Sequence, residues 1–256
     1  CLSTMNFWRI ITKMIKNKLT LKQVEKILKQ KKIFFAMYDC ENKNHYLYQS
    51  IYLPLKKLFK EIKLYDTKKK NLKYGPYVMK KNLLDVIKKE KPDYILFSVW
   101  GCGEFESIDL PEEINKVSPK SKIISLLGDD DRDFDISSRY YALLMDYNLV
   151  AQAHYVDLYK KEGHKAYPFY IIDTENFRPL NLKKKYDVSF IGSPTELRAK
   201  LMRSLIERGI KFNIWGSGWL AYPEFKNYYW GVLDSKEFIK VISQSKINLA
   251  FSQNEY

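Results

Sequence analysis

The sequence predicts an α/β protein made of two Rossmann-like, doubly wound parallel-sheet domains, the second of them incomplete. Three observations predict it. Short apolar runs rich in β-branched and aromatic residues recur at 33–37 (IFFAM), 94–100 (YILFSVW), 122–127 (KIISLL) and 188–191, the pattern of strands buried on both faces. Helical periodicity fills the intervals, which are long enough for the crossovers that parallel strands require. A polar stretch punctuated by Pro179, from Asp173 to Lys185, has no periodicity and reads as an interdomain linker. The resulting division is a helical segment over 1–32, a first domain over 33–178, a linker over 179–186 and a partial second domain over 187–256.

From the amino end, Phe7, Ile10, Ile11, Met14 and Ile15, then Leu21, Val24, Ile27 and Leu28, repeat at helical spacing between lysines. They predict a helical prelude packed on its own domain, with an interfacial membrane helix as the alternative. Strand 33–37 ends in the polar cluster Tyr38-Asp39-Cys40-Glu41-Asn42. A helix over 46–62, a short strand 63–65 and a lysine-rich loop through Gly75-Pro76 come next, and a helix over 77–89 leads through Pro92 into strand 94–100. After Pro111 the pattern gives a brief helix, strand 122–127, the acidic turn Gly128-Asp129-Asp130-Asp131, helix 137–144, strand 148–152, helix 154–162 and strand 166–170.

In the second domain Val188, Phe190 and Ile191 form a strand that stops at Gly192. Ser193 is placed to cap a helix, with Pro194 in its first position and Glu196 completing a capping box. Leu197, Leu201 and Leu205, with Met202 and Ile206, supply an apolar stripe, and Gly209 ends the helix. The following strand, with Phe212 and Ile214, runs into Trp215-Gly216-Ser217-Gly218-Trp219. An aromatic loop (Tyr222, Phe225, Tyr228, Tyr229, Trp230), a helix 235–244 capped by Asp234 and a strand 247–251 follow. A domain stopping there leaves a sheet edge uncovered, so truncation within it is expected.

A glycine turn feeding a helix N-terminus offers unpaired N–H groups and the positive end of a helix dipole, where phosphate can sit; any parallel α/β unit also needs a turn at that point. Arg198, one turn into the helix, adds a guanidinium suited to two phosphate oxygens. Gly216, Ser217, Gly218 and Trp219 form a second glycine-rich loop at the same sheet edge, with indoles able to stack on a base or sugar. The candidate phosphate-binding set is therefore Gly192, Ser193, Arg198, Gly216, Ser217, Gly218 and Trp219.

As a set, DVSFIGSP (187–194), Arg198 with its leucine-spaced helix, the strand ending in GSGW, Gly231-Val232 and SKINLAFS (245–252) resembles the donor-domain half of the CgeB-like (spore maturation type) glycosyltransferases of GT-B architecture. The resemblance spans 187–252 and is looser before it. It implies a glycosyltransferase moving a sugar from a nucleotide-diphosphate donor, bound by the second domain, to an unidentified glycan, protein or lipid-linked acceptor on the side of the first. It implies no cofactor and no metal. It also implies acidic donor contacts further along than Tyr256, so the chain as given is expected to be inactive alone. His45, near Asp39 after the first strand, is the candidate catalytic base of the acceptor side, and a surface histidine is the plain alternative. The opposing functional reading is a non-catalytic nucleotide- or glycan-binding α/β module.

Composition excludes several classes. With 46% hydrophobic residues the chain is globular, and no apolar run or leader-like segment appears, so a cytoplasmic location is expected. The formal charge of +14 comes from 44 basic residues, 37 of them lysine. The lysines are dispersed along helices, which reads first as a solvated surface, second as a peripheral membrane contact and last as nucleic-acid binding. Cys1, Cys40 and Cys102 lack metal or redox spacing, and His45, His154 and His164 lack ligand spacing. The acidic run Asp129 to Asp131 invites a metal reading, but helix capping explains it as well. No P-loop and no complete dinucleotide fingerprint is present.

Overall fold

The computed structural model of the 256-residue chain describes residues 20–38, 41–43, 48–98, 109–169 and 178–251. The chain divides into two units, Cys1–Thr174 and Glu175–Tyr256. The first is built on six parallel strands, β1 (Lys32–Met37), β2 (Glu61–Asp66), β3 (Tyr94–Ser98), β4 (Lys122–Leu127), β5 (Tyr147–Val150) and β6 (Ala166–Pro168), in the order β2-β1-β3-β4-β5-β6. The chain steps outward from β1 to β2, returns across β1 to β3, and thereafter moves one way. Right-handed crossovers convert that single reversal into helices on opposite faces.

Burial follows this topology. Helices α1 (Leu21–Leu28) and α2 (Leu53–Leu58) bury Val24, Leu28, Leu55 and Leu58 against Ile33, Phe35, Met37, Leu96 and Leu126. On the other face α3 (Thr67–Glu90) and α4 (Leu110–Val117) pack Met79, Leu83, Ile87 and Ile114 on Phe34, Ala36, Ile95 and Ile123. Alternate residues of one strand thus serve opposite cores, and both sets are apolar. Farther along that second face, α5 (Asp130–Asp133), α6 (Arg139–Leu143) and α7 (Val156–Lys161) enclose Phe134, Ala142, Val156 and Tyr159 over Leu127 and Val150. A polar pair enters this core: the Ser125 hydroxyl donates to Asn148 Oδ1, and Asn148 Nδ2 donates to the Ala142 carbonyl at 3.2 Å, so neither group is stranded.

The second unit carries three parallel strands, β7 (Tyr186–Ile191), β8 (Asn213–Trp215) and β9 (Ser245–Leu249), in the order β8-β7-β9. Helix α8 (Glu196–Glu207) crosses from β7 to β8 and α9 (Ser235–Gln244) from β8 past β7 to β9. Segment 228–231 lies along the free side of β8: Ile214 N–H donates to the Tyr228 carbonyl, and Trp230 N–H to that of Ile214. Both units are parallel α/β sheets of Rossmann type, as the sequence predicts. Asp234 caps α9 in a full capping box with Glu237, and Gly209, at φ 67°, follows the end of α8.

Several local expectations are corrected. The lysine-rich loop is helical, because the Asp66 carboxylate accepts the Lys69 N–H at 2.9 Å as an N-cap and the lysines, Asn71 and Leu72 continue the helix. Gly75, at φ 75°, ψ 166°, is non-helical and divides α3 into two helical segments that meet at a kink; Pro76 opens the second, which contains the helix expected over 77–89. The helix expected over 46–62 is, among the described residues, a π-turn (Tyr48–Tyr52) followed by α2, since the chain leaves the helix at Phe59 to supply β2 as a neighbour for β1. The acidic turn passes directly into α5, and a π-turn (Phe134–Ser138) joins it to α6, which lies within the helix expected over 137–144. In the second unit, α8 buries Ala199 and Met202, with Leu205 and Ile206 beside them, whereas Leu197 and Leu201 stay half-buried. A strict four-residue row drifts round a helix, and only mixed steps of three and four keep facing a sheet. The last strand begins at Ser245, two residues early. Positions 7–15 of the prelude and 99–100 of the third strand lie outside the described residues.

The conformation of Gly75 is one that only glycine adopts without strain. Gly75→Ala, with open space around the new methyl group, is expected to cost roughly 1–3 kcal/mol in urea unfolding. Parent-like stability would mean that the kink is not set at this residue.

Candidate functional site

Strands β7 and β8 end level, with Ile191 in register with Trp215, so Gly192 and Gly216 leave the carboxyl edge of the sheet side by side. Ligand sites of parallel sheets lie at that edge. The two turns interlock. Gly192 N–H donates to the Trp215 carbonyl at 2.8 Å, and the Gly192 carbonyl accepts from Trp219 Nε1 at 2.7 Å. Gly216, at φ 136°, lies so close that a Cβ there would sit 2.3 Å from the Gly192 oxygen. At Gly218, φ 96°, a Cβ would meet Pro194 Cδ at 3.0 Å. Glycine is needed at both positions for backbone angle and for space.

Above this floor the exposed hydroxyls of Ser193 and Ser217 lie 3.2 Å apart. The helix begins one step later than the sequence suggests, and the cap assignment is corrected: Thr195, extended at φ −128°, ψ 167°, is the N-cap, and its Oγ1 accepts the Arg198 N–H at 3.2 Å. Pro194 is held against Gly218, so Ser193 belongs to the turn. Glu196 bonds to Arg203 Nη1 at 3.1 Å, and Arg203 Nε reaches Glu224 at 2.8 Å. The Arg198 N–H is thus satisfied by the cap, and the positive end of the α8 dipole lies at the turn.

Arg198 therefore stands in the first turn of α8. Its Nη1 donates to the Ser193 carbonyl and its Nη2 to the Phe251 carbonyl, each at 2.9 Å, and the guanidinium lies over the Phe190 ring at 5.7 Å. Burial pulls its pKa below the usual guanidinium value, yet arginine stays cationic. Nε is buried with no hydrogen-bond partner among the described residues, and each Nη keeps a second N–H. The side chain is a brace for the turn as well as a fixed positive charge.

The seven residues chosen from sequence come together at this edge, but the expected stacking role of the indoles is corrected. Trp219 is 1% exposed, edge-on to Phe225 at 5.1 Å and to Phe190 at 6.0 Å, and Trp215 is 3% exposed. The buried indole of Trp219 needs an acceptor for its N–H and finds one in Gly192. Thr195 was missed because Ser193-Pro194-Thr195-Glu196 offers two capping residues, and the proline rule selects the earlier. Asp39 and His45 lie outside the described residues.

The acidic turn of the first unit spreads its carboxylates over different partners. Asp129 takes a left-handed conformation at φ 56°. Asp130 is buried, with Oδ1 accepting the Tyr159 hydroxyl at 2.9 Å and Oδ2 unpartnered among the described residues. Asp131 accepts from Gln152 Nε2, donates its N–H to Gln152 Oε1 at 3.2 Å, and lies 3.2 Å from His154 Nε2. No local pattern could reveal that constellation, because it joins the ends of β4 and β5. Among the described residues no cluster of three His, Cys, Asp or Glu side chains could hold a metal ion. No helix among them is long and apolar enough to cross a membrane.

No family model matches the sequence, and no curated protein matches it. Among solved structures the chain is similar to a UDP-GlcNAc 2-epimerase from Neisseria meningitidis bound to UDP-GlcNAc, with a TM-score of 0.53 at 10% identity over 85% of this chain and 76% of the other. It is also similar to the apo form of the lipopolysaccharide outer core galactosyltransferase WaaB, at TM-score 0.40 and 14% identity over 86% and 68% of the two chains. The first likeness shows the shared fold, a GT-B-like pair of Rossmann-like units.

Two outcomes test this geometry. Gly216→Ala is expected to cost roughly 3 kcal/mol or more, since a positive φ and a backbone clash coincide; a parent-like melting temperature would remove the interlock. Burial raises the Asp130 pKa. A carboxyl whose folded pKa lies above the unfolded value loses stability as pH rises from about 3.8 through the folded pKa. Asp130→Asn removes that loss, so the melting temperature of the variant relative to the parent should be higher at pH 7 than at pH 4. A pH-independent difference would contradict it.

Proposed function

We propose that the second unit binds the diphosphate of a nucleotide sugar at the interlocked turns, and that the chain is part of a glycosyltransferase. The observation that carries the reading is one corner in which a helix N-terminus, two exposed hydroxyls and a partly buried arginine converge on two glycine turns. The GT-B-like fold supports it at the level of sugar-nucleotide chemistry. The Arg198 charge is held in place by two carbonyls, ready to stabilise a departing diphosphate. In the transfer, the bond from the anomeric carbon to the diphosphate oxygen breaks with its electron pair, an acceptor oxygen bonds to that carbon, and the acceptor proton passes to a base or to solvent. His45 and Asp39 are the proposed acceptor-side pair.

A non-catalytic nucleotide-binding module would use the same corner without turnover. The epimerase likeness adds a third outcome, a change at a sugar carbon without transfer.

Titration calorimetry with UDP and GDP tests the corner. Ser193→Asp places a carboxylate in it from an exposed position, and is expected to weaken diphosphate binding at least tenfold, about 1.4 kcal/mol, with an unchanged melting temperature. Arg198→Ala should weaken binding and also lower the melting temperature, because two carbonyls lose their donor. If UDP and GDP bind Ser193→Asp as tightly as the parent, the corner is not an anion site. Release of nucleoside diphosphate from a nucleotide sugar separates enzyme from binding module.

A further inference from the structure

We propose that the elbow of α3 in the first unit is a docking surface for an anionic lipid bilayer, a role independent of the turns in the second unit. The second half of α3 is anchored in the core through Met79, Leu83 and Ile87. The Tyr65 hydroxyl donates to the Met79 carbonyl at 2.8 Å, so Met79 is level with the end of β2. The helix then runs back antiparallel to the strands, since Tyr94 restarts at the level of Ile33. Residues 72–78 therefore project past the carboxyl end of β2, bent by Gly75.

That projection is apolar. Leu72 is 78% exposed and Tyr77 81%, with Val78 at 42% and Tyr74 at 40% between them. Isolated exposed apolar residues need no explanation, but four within seven positions, two on either side of the break at Gly75, concentrate apolar surface at the elbow. Tyrosines suit a headgroup boundary, where the ring meets acyl chains and the hydroxyl meets water.

Charge selects the occupant. Between Thr67 and Leu84 the chain has six lysines and no acidic residue. Lys69 pairs with Glu41 and Lys80 with Glu113. Lys70, Lys73 and Lys81 form no salt bridge among the described residues, and Lys70 and Lys73 lie over the Tyr74 ring at 5.9 and 4.9 Å. An apolar tip with two cations over Tyr74 complements an anionic bilayer, whose surface attracts each nearby lysine and whose interior accepts the tip.

The test is flotation of the whole chain with vesicles of phosphatidylcholine, alone or mixed with phosphatidylglycerol, at near-physiological salt. Binding is expected to the mixed vesicles and not to the neutral ones. Leu72→Asp with Tyr77→Asp should reduce it at least tenfold, and Lys70→Ala or Lys73→Ala about fivefold each. Val232→Asp, at an exposed apolar residue of the second unit (66%), should leave it unchanged. Leu72, Lys73, Tyr77 and Val232 are exposed and Lys70 is half-buried without a salt bridge among the described residues, so melting temperatures should match the parent. The proposal is overturned by undiminished binding of the Leu72 and Tyr77 double variant, by equal binding to neutral vesicles, or by equal loss with Val232→Asp. It is also overturned if the double variant dissolves a dimer of the free protein, which would make the elbow an interface between copies, or if duplex DNA binds as tightly as mixed vesicles and the aspartates leave that binding intact.

Discussion

The second unit depends on a backbone contact that no side chain makes: Gly216 resting against the Gly192 carbonyl. Two parallel strands that end level would ordinarily send their connections apart, because side chains fill the space between the first turns. Without a Cβ at 216 the two turns share one corner, and the hydrogen bonds of Gly192 to Trp215 and Trp219 close it. The aromatic core beneath follows from the same contact. Trp219 is drawn inward by its N–H partner and brings Tyr222 and Phe225 around it, so a residue that resembles a ligand platform in sequence becomes part of the floor.

Arg198 links that floor to function. An arginine at the start of a helix opposes the helix dipole, and this one is also half-withdrawn from water. It is held there by two carbonyls 53 residues and five residues away along the chain. Those bonds spend part of its donor capacity on structure. Its charge remains in place before any ligand arrives, which is the condition for electrostatic preorganisation. Bracing and charge are two consequences of one geometry, and measuring stability and binding together separates them.

Charge behaves differently in the first unit. Net charge and dispersed lysines describe the sequence as evenly basic, and evenly basic surfaces rarely identify a partner. Folding redistributes that charge: two of the six lysines of α3 before Asp85 are neutralised by Glu41 and Glu113 from elsewhere in the chain, while Lys70 and Lys73 lie over Tyr74 beside Gly75. The apolar side chains at the tip are not surplus core residues. The core stripe of α3 is supplied by Met79, Leu83 and Ile87, and the kink turns the preceding residues off that stripe.

By itself the sequence determined the α/β class, the strands expected at 33–37, 94–100, 122–127 and 188–191 to within two residues where they are described, the Asp234 cap and the glycine turns after β7 and β8, because these are set by local periodicity, capping chemistry and backbone freedom. Tertiary structure decided what local rules leave degenerate. Ser193 and Thr195 are equal caps until Pro194 meets Gly218. A lysine-rich stretch is loop or helix until Asp66, at the end of an edge strand, caps it. Trp219 is platform or core until the Gly192 carbonyl claims its N–H. For Thr195 and Trp219 the deciding partner lies more than twenty residues away in sequence, and the energy that selects between the local alternatives exists only once the sheet has brought them together; Asp66 is a local cap, three residues before Lys69, and the strand that ends there sets where the helix begins.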